Sequence, residues 1–396
     1  MKNNKLITVG FSVLIATLPI TGLAQLVPAA PEIAAKGYVL MDYHSGKILA
    51  SGNVDQPMAP ASLAKMMTAY VIGQEINNGR LSLDDEVVVG ESAWSVKFPD
   101  SSKMFIQPGD TIAVSNLARG IMVQSGNDAS VAMAEHIAGS EGAFVSLMNS
   151  WAKSLGMTNT RYINAHGLDG EGIATSPRDM ATLLTRMIQD TPDIYSIYKE
   201  KSFTWNDITQ YNRNKLLWDR SLNVDGAKTG YTPEAGYSLT TSATDGRMRL
   251  VSVVMGTSSQ QARVAETRKL LNYGFRFYDT KPVAVSGEAL GTETVWLGES
   301  DELEYSVADD IYLTLPKSDY GKLTVSYKLE NAIIAPVKQG EKIGTVTWSV
   351  DEDIVREAPL IASKAVEPGS WYKRLMDMVK LKIKSLLTSL FDFIGR

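Results

Sequence analysis

Three short polar motifs in this sequence carry residue types that suit chemistry at a carbonyl carbon. They supply a hydroxyl nucleophile, amines able to carry a proton, and a strand edge with an ammonium group for an anion. Short motifs recur by chance, so each alone is weak, whereas the set and its order favour acyl transfer through a serine ester. In chain order the motifs are Ser62-Leu63-Ala64-Lys65, Ser125-Gly126-Asn127 and Lys228-Thr229-Gly230.

A serine hydroxyl needs a neighbouring base, and a lysine is the best candidate for that base here. The chain has three histidines and no Gly-x-Ser-x-Gly elbow, the motif that presents the serine of many hydrolases. A lysine can act as the base if its pKa falls from about 10.4 toward 7, which burial and a nearby cation bring about. Since Lys65 follows Ser62 by one helical turn, it is predicted to be this base, with Lys228 as the nearby cation.

The second motif places a serine and an asparagine around a glycine, in a tight turn that can aim both side chains into one cleft. We expect Ser125 to pass a proton to the leaving amine and Asn127 to hold the substrate amide. The alternative is an ordinary turn between two helices. Similarly, His166 and Asp169 resemble a catalytic dyad, but a structural role in tying a loop near the cleft is the favoured interpretation.

The third motif is predicted to lie on a strand that borders the cleft. The ammonium of Lys228 and the hydroxyl of Thr229 suit a substrate carboxylate, and the glycine after them permits close backbone approach. The backbone N–H groups of Ser62 and Tyr231 are the expected oxyanion hole. No cluster with metal-ligand spacing is found, so we expect an enzyme without metal or cofactor.

Helix-like and strand-like runs surround these motifs in the sequence. Helices that flank an antiparallel sheet form an α+β domain, which is the predicted fold class. Pro60 precedes the first predicted helix, so that Ser62 would stand at its N-terminus. The predicted elements are a hairpin of 37–43 and 48–51, helices over 61–77, 112–122, 129–138 and 259–273, and strands over 227–231, 237–243 and 247–255.

A second domain is predicted beyond Asp279, because the sequence changes there to short strand runs separated by turns. A length of 396 residues also favours two domains. The runs 295–298, 311–315, 323–329 and 344–350 indicate a small all-β domain, a sandwich. The predicted boundaries are 25–280 for the first domain and 283–365 for the second.

The N-terminus has the features of a secretory signal. Lys2 and Lys5 precede an apolar stretch, and Gly22 and Ala24 offer the small residues of a cleavage site. Residues 1–24 are therefore predicted to be a cleaved signal peptide, which makes the mature chain an exported protein. The alternative is an uncleaved membrane anchor.

The C-terminus is predicted to form a basic amphipathic helix over 368–396. An apolar stripe at spacings of three and four runs along it, with lysines on the opposite side. Residues 371–396 contain six basic and two acidic residues, a net charge of +4 in a chain whose net charge is −5. Such a helix is typical of an anchor on an anionic membrane surface. The alternative is a helix docked on its own β domain. The stripe consists of Leu375, Val379, Ile383, Leu386, Leu390 and Ile394, and the lysines are Lys373, Lys380 and Lys384.

Composition excludes several other classes. The chain has 44% hydrophobic and 21% charged residues, as expected of an ordered globular protein. Its acidic balance and the lack of a basic block with aromatics in the main body argue against nucleic acid as a partner. The absence of cysteine excludes disulfides, thiolate metal sites and cysteine nucleophiles.

With these motifs the chain resembles the low-molecular-mass penicillin-binding proteins, specifically the D-alanyl-D-alanine carboxypeptidases of the penicillin-binding protein 5 and 6 group. The resemblance covers essentially the whole mature chain. The segments that carry it are 41–43, 45–47, 60–65, 124–128, 166–169, 212–214 and 223–226.

The resemblance implies a serine β-lactamase/transpeptidase-like first domain and a role for each motif. Ser62 would be acylated by the penultimate D-alanine carbonyl of a peptidoglycan pentapeptide, with Lys65 as general base. Ser125 with Lys228 would assist, and Arg213 would help to orient the terminal carboxylate. The products would be free D-alanine and a shortened peptide, in a step of cell-wall biogenesis.

The resemblance also implies β-lactam antibiotics as acylating inhibitors, and a peripheral location on the periplasmic face of the inner membrane. Tyr231 departs from the pattern, since some family members carry histidine there. A β-lactamase is one alternative, although no Glu-x-x-Leu-Asn segment, which class A enzymes use for deacylation, lies between Ser125 and Lys228. An endopeptidase or transpeptidase on the same fold and a non-catalytic β-lactam receptor are the others.

Overall fold

The structure is a computed structural model that describes residues 27–329 and 332–394, with side chains described as far as residue 383. The predicted signal peptide, residues 1–24, lies outside the described residues. The side chains of Lys384 and of the last three members of the predicted C-terminal stripe also lie outside them.

Two folded parts follow each other along the described chain, an α+β part and an all-β part. The helices are α1 (Lys65–Asn77), α2 (Val114–Arg119), α3 (Asn127–Ala138), α4 (Glu141–Ser154), α5 (Pro177–Asp190), α6 (Pro192–Tyr195), α7 (Gln260–Phe277) and α8 (Trp371–Ile394). The strands are β1 (Gly37–Asp42), β2 (Ile48–Gly52), β3 (Glu86–Val88), β4 (Thr111–Ala113), β5 (Ser202–Trp205), β6 (Ile208–Tyr211), β7 (Val224–Thr232), β8 (Gly236–Thr244), β9 (Arg249–Thr257), β10 (Tyr278–Ala284), β11 (Gly291–Trp296), β12 (Glu302–Ser306), β13 (Ile311–Pro316), β14 (Leu323–Leu329), β15 (Ile333–Ile334), β16 (Lys342–Val350) and β17 (Asp353–Ala362).

A five-stranded antiparallel sheet is the middle layer of the first part, with the strand order β2-β1-β9-β8-β7. Successive side chains point to opposite faces, so Val39 packs in the core shared with α1 and α5, and Leu40 in the core shared with α7. Helices cover both faces, which confirms the predicted α+β class. Strand β7 lies at the sheet edge, where one row of its backbone groups has no partner strand.

The second part is all-β, as predicted. A six-stranded sheet has the order β14-β16-β17-β12-β11-β15, and β10 pairs with β13 in a separate ladder. Leu313 of the ladder shares one core with Leu303, Val346 and Leu360 of the larger sheet. The sequence did not reveal β10, β12, β15 or β17. The charged residues and Pro359 of β17 are poor strand formers, so the sequence does not indicate a strand there. The long antiparallel pairing with β16 outweighs this low strand propensity.

Two predicted helices are wrong where they meet the serine motifs. The expected helix over 61–77 begins with a 3₁₀ turn, Ala61–Ala64, and becomes α-helical only at Lys65. The second expected helix, 112–122, starts with strand β4 and ends in a π-helical turn, Gly120–Gln124. Ser125 then adopts a left-handed conformation with φ 66°. Helix propensity does not reveal such irregular turns, which tertiary packing maintains.

A buried polar network joins the two parts. Asp42 is fully buried at the end of β1 and accepts hydrogen bonds from the Ser45 hydroxyl (2.9 Å) and the Thr280 hydroxyl (2.7 Å). Thr314 Oγ1 lies 2.6 Å from Ser45 Oγ and 2.9 Å from Thr280 Oγ1. Lys47 Nζ donates to the carbonyl of Thr314 at 3.0 Å. The β1–β2 hairpin is therefore bonded directly to β10 and β13.

Replacing Asp42 by alanine should destabilise the protein by about 2–3 kcal/mol, because buried donors lose a charged acceptor. The measurement is urea unfolding of the full chain. Asp55→Ala is the matched control, since Asp55 pairs with Arg178 at the surface and should change stability little. Equal unfolding midpoints for the two variants would contradict this account of the junction.

Candidate active site

The three motifs meet at a single cleft of about 470 Å³, bordered by strand β7 and by the turns before α1 and α3. Lys65 and Lys228 lie buried beneath its floor, each bonded to a motif serine. The structure thus brings together all eight residues for which the sequence analysis expects a catalytic or substrate-binding role. The other six, which line the cleft, are Ser62, Ser125, Asn127, Arg213, Thr229 and Tyr231.

Lys65 Nζ makes three short polar contacts. It donates to Asn127 Oδ1 and to the carbonyl oxygen of His166, each at 2.6 Å, and lies 3.2 Å from Ser62 Oγ. A neutral amine has two N–H bonds and one lone pair. With both N–H groups used on oxygen acceptors, the lone pair is left for the hydroxyl of Ser62, as a general base requires.

The pKa of Lys65 suits a base that works near neutral pH. Burial, and after it the positive charge of Arg213, lower the pKa of Lys65 to about 7, against an opposing effect of Asp128. The predicted cation, Lys228, is not among these causes. The physical reason is that burial and the charges of Lys65, Arg213 and Arg263 hold the pKa of Lys228 itself well below its ordinary value.

Lys228 and Ser125 form a second amine–hydroxyl pair. Lys228 Nζ donates to Ser125 Oγ at 2.8 Å and to the carbonyl of Thr229 at 2.9 Å. Both side chains are buried, and the left-handed backbone of Ser125 directs its hydroxyl toward β7. The pair can carry a proton between the floor of the cleft and a group bound above it.

Asn127 is bonded at both ends of its carboxamide. Its Oδ1 accepts from Lys65, and its Nδ2 donates to Ser101 Oγ at 2.9 Å. The expected bond to a substrate amide would therefore require Nδ2 to leave Ser101. In this arrangement Asn127 orients Lys65.

The loop before β4 is part of the site, and sequence reasoning missed it. Arg213 Nη1 donates to Ser102 Oγ. Asp128 accepts hydrogen bonds from the backbone N–H groups of 104–106 and so holds the loop against the start of α3. The sequence of the loop has no periodic pattern that would mark it. The one signal of its position was Asp128, a carboxylate directly after Asn127 in the first turn of a helix.

An aromatic stack forms one wall of the cleft. The ring of Tyr231, which is half exposed, lies 4.2 Å from the ring of its cross-strand neighbour Tyr237, nearly parallel to it. The Arg263 guanidinium lies 5.8 Å from the Tyr237 ring and donates to the carbonyl of Gly230 at 3.2 Å. The sequence did not single out Arg263, whose only signal was a charge on a helix that packs on the sheet.

The segment 166–169 ties a loop to the site, which agrees with the structural interpretation. Burial, with the charge of Lys65, lowers the pKa of His166 to about 3. The ring is therefore neutral at pH 7, and its 3.6 Å approach to Glu141 is not an ion pair there. Asp169 accepts from the hydroxyl of Thr232 on β7 at 2.9 Å. In the described part of the chain, no group of three or more His, Asp or Glu side chains is placed to hold a metal.

Two glycines let the neighbouring segments close on the Ser62 turn. A Cβ atom on Gly230 would lie 3.1 Å from the Pro60 carbonyl oxygen and 3.2 Å from the Ala61 side chain. Gly167 has φ 86°, and a Cβ atom there would overlap the carbonyl oxygen of Ala61. Strand β7 and the 166–169 loop can approach Ser62 this closely only because both positions lack side chains.

Comparisons with known proteins agree with this geometry. The model of the D-alanyl-D-alanine carboxypeptidase family matches residues 24–259, and that of the penicillin-binding protein 5 C-terminal domain matches residues 278–368. The D-alanyl-D-alanine carboxypeptidase DacA of Escherichia coli strain K12 is 46% identical over 91% of this chain and 90% of its own length. The resemblance read from the motifs is confirmed.

Solved structures extend the likeness to the fold. Penicillin binding protein 5 from Haemophilus influenzae matches with a TM-score of 0.83 and 43% identity, covering 86% of this chain and 99% of that protein. Penicillin binding protein 6B from Escherichia coli matches with a TM-score of 0.73 and 40% identity, covering 85% and 98%. The likeness therefore includes both the α+β part and the all-β part.

Gly167→Ala should disturb the Ser62 turn, because the added methyl group overlaps the Ala61 backbone and the positive φ disfavours alanine. We expect a loss of more than about 1 kcal/mol of stability, together with slower turnover. Gly142→Ala is the matched control, since Gly142 lies in α4 with open space around it. Thermal unfolding and peptide cleavage by both variants check this, and unimpaired Gly167→Ala would show that the close approach is not needed.

Proposed function

The chain belongs to the D-alanyl-D-alanine carboxypeptidase family, and from this premise we propose that Ser62 is the residue acylated when the terminal D-alanine is removed from a peptidoglycan pentapeptide. Serine-type carboxypeptidase activity follows from the family. The assignment of the individual residues is our proposal. The observation that carries it is the contact set of Lys65, which leaves a lone pair for the Ser62 hydroxyl.

In the first step, neutral Lys65 takes the proton from Ser62 Oγ as that oxygen attacks the carbonyl carbon between the two D-alanines. The negative charge that develops on the carbonyl oxygen is stabilised by the backbone N–H groups of Ser62 and Tyr231, since β7 is an edge strand and Tyr231 borders the cleft. Removing one such donor typically costs about 2.7–4 kcal/mol of transition-state stabilisation.

In the second step, the carbon–nitrogen bond breaks and the leaving amine of D-alanine takes a proton from Ser125. Lys228, which donates to Ser125 Oγ at 2.8 Å, stabilises the oxygen left behind. The proton that Lys65 took from Ser62 then restores the Ser125 hydroxyl, so Lys65 is neutral again. Water then attacks the ester, with Lys65 accepting a proton from it. The shortened peptide leaves and Ser62 regains its hydroxyl hydrogen.

The terminal carboxylate of the substrate is bound by Arg213 and Thr229, with the charge of Arg263 nearby. Arg213 and Arg263 line the same cleft, so two guanidinium groups face the place where the anion would lie. A guanidinium suits a carboxylate because its planar N–H groups match two oxygens. A penicillin carries a carboxylate and a strained amide and occupies the same site. Its leaving amine stays tethered to the acyl group after the ring opens.

We further propose that the protein is exported and held on the periplasmic face of the inner membrane by α8. The support is the predicted signal peptide and the exposed apolar residues of α8, among them Trp371, Leu375 and Val379. Within the described residues, no helix has both the length and the hydropathy to cross a bilayer. We propose that the association is peripheral and takes place through the exposed apolar side of α8.

Incubation with a penicillin, followed by mass mapping, should place the adduct on the peptide that contains Ser62. Ser62→Ala should give no adduct, and Ser140→Ala, which changes the capping serine of α4 and lies outside the three motifs, should be labelled like the unmodified protein. An adduct on any other residue, or on the Ser62→Ala variant, would overturn the assignment.

The rate of Ser62 acylation by a penicillin should rise with pH and level off above the pKa of Lys65, about 7. Below that pH the protonated amine cannot accept the Ser62 proton. Arg213→Gln removes a charge that lowers this pKa, so its midpoint should move to higher pH. Arg247→Gln, at an exposed turn, should leave the midpoint unchanged. An unshifted midpoint in Arg213→Gln would rule out the electrostatic role given to Arg213.

Deleting 371–396 should release the protein from vesicles that contain anionic lipid and leave pentapeptide cleavage intact, because the catalytic groups lie before β10. Binding of the full chain should weaken in salt, since screening reduces the electrostatic part of the attraction. Co-sedimentation and turnover of both forms check this. If the shortened protein still sediments with the vesicles, α8 is not the anchor.

A further inference from the structure

Helix α8 follows the all-β part, called the β domain below, without a free linker between them. Glu299 N donates to the carbonyl of Glu367 at 2.8 Å, and Gly369 N donates to the carbonyl of Leu297 at 2.8 Å. Gly298 and Pro368 also form a bridge. A Cβ atom on Gly369 would lie 2.5 Å from the Gly298 carbonyl oxygen. The chain that leads into α8 is therefore bonded along its length to the end of β11.

One buried carboxylate continues this attachment into the helix. Asp377 is only 4% exposed, and its Oδ2 accepts a hydrogen bond from the backbone N–H of Leu297 at 3.0 Å. Leu297 has φ 61°, a left-handed conformation that a leucine rarely adopts. Its C=O is bonded to Gly369 and its N–H to Asp377, so the start of α8 holds both backbone groups of this strained residue.

Two ion pairs lie on the face of α8 that carries Asp377. Lys373 Nζ lies 2.8 Å from Asp301 Oδ1, and Lys380 Nζ lies 3.7 Å from Asp377 Oδ1. Lys373 and Lys380 are two of the lysines expected to attract anionic lipid. Both form ion pairs on the side of the helix that carries Asp377.

The apolar residues of α8 lie on the opposite side. At 3.6 residues per turn, Leu375 and Val379 project about 160° away from Asp377, and they are 52% and 50% exposed. Trp371 and Tyr372, at the start of the helix, are exposed as well. Aromatic residues of this kind are enriched where a protein meets the interface of a bilayer.

We propose that Asp377 docks the polar face of α8 on the β domain and so fixes the orientation of the apolar face. The bilayer would then lie on the side of the helix opposite to Leu297. The proposal rests on the proposed membrane association and adds a geometry to it. In this arrangement the β domain lies on the side of the helix away from the bilayer. The buried Asp42 network in turn bonds the β domain to the catalytic part.

Spin labels test the docking, and the absence of cysteine makes labelling simple. Asp309→Cys on an exposed turn of the β domain and Met378→Cys on α8 would be labelled in the full chain, and their distance distribution measured by pulsed electron spin resonance. We expect one narrow distribution in the parent and a several-fold broader one after Asp377→Ala. Asp377→Asn keeps an oxygen acceptor for Leu297 N–H and should stay narrow. A broad parent distribution, or an unchanged one in Asp377→Ala, would overturn the proposal.

Folding of the variants is checked by turnover of a soluble pentapeptide, which should equal that of the parent because the cleft does not involve α8. If Asp377→Ala loses this turnover, the helix contributes to the catalytic fold and the proposal is wrong. Asp377→Ala should still sediment with vesicles of phosphatidylcholine and phosphatidylglycerol, since its apolar face is intact. If the parent fails to sediment but keeps a narrow distribution, membrane association fails while docking stands.

The side that meets the bilayer is tested with a polarity-sensitive fluorophore on a single introduced cysteine. A label at Leu375→Cys should shift to shorter wavelength when vesicles are added, and a label at Glu299→Cys, across the helix on the β domain, should not. A shift at Glu299→Cys, or none at Leu375→Cys in protein that has bound to the vesicles, would place the bilayer on the wrong side and contradict the proposed orientation.

Discussion

The burial of Lys65 against the Ser62 hydroxyl is the interaction on which the rest of the site depends. A buried amine without a paired carboxylate is more stable neutral than charged, and only the neutral form can accept a proton. The protein offers two neutral acceptors, Asn127 Oδ1 and the carbonyl of His166. These satisfy both N–H bonds, so the amine can stay neutral without an unpaired donor.

Several segments must converge to maintain this arrangement. Ser62 lies in the 3₁₀ turn before α1, Asn127 is the first residue of α3, and the loop at His166 contributes a backbone carbonyl. Gly167 and Gly230 allow the close approach on either side of that turn. The strained backbone at Ser125 then adds the second amine–hydroxyl pair. The sheet and its helices serve mainly to hold these irregular pieces in place.

The sequence revealed the chemical groups better than the geometry that activates them. Residue type and spacing identified Ser62 and Lys65 as a pair, and periodicity gave the α+β and all-β classes. The contribution of Arg213 to the pKa of Lys65 depends on distances across the fold, which no local pattern contains. The same is true of the bonds from Asp128 to its loop and of the docking of Asp377, because each joins segments far apart in sequence.

The most direct test of the account is the titration of Lys65 itself. Lysine labelled with ¹³C at Cε would be incorporated, the Lys65 signal assigned by its loss in Lys65→Ala, and its chemical shift followed with pH in the unacylated protein. We expect a midpoint near the pKa of about 7 that burial and Arg213 give Lys65. A Lys65 signal that titrates near 10.5, the ordinary value for lysine, would contradict its role as the neutral base.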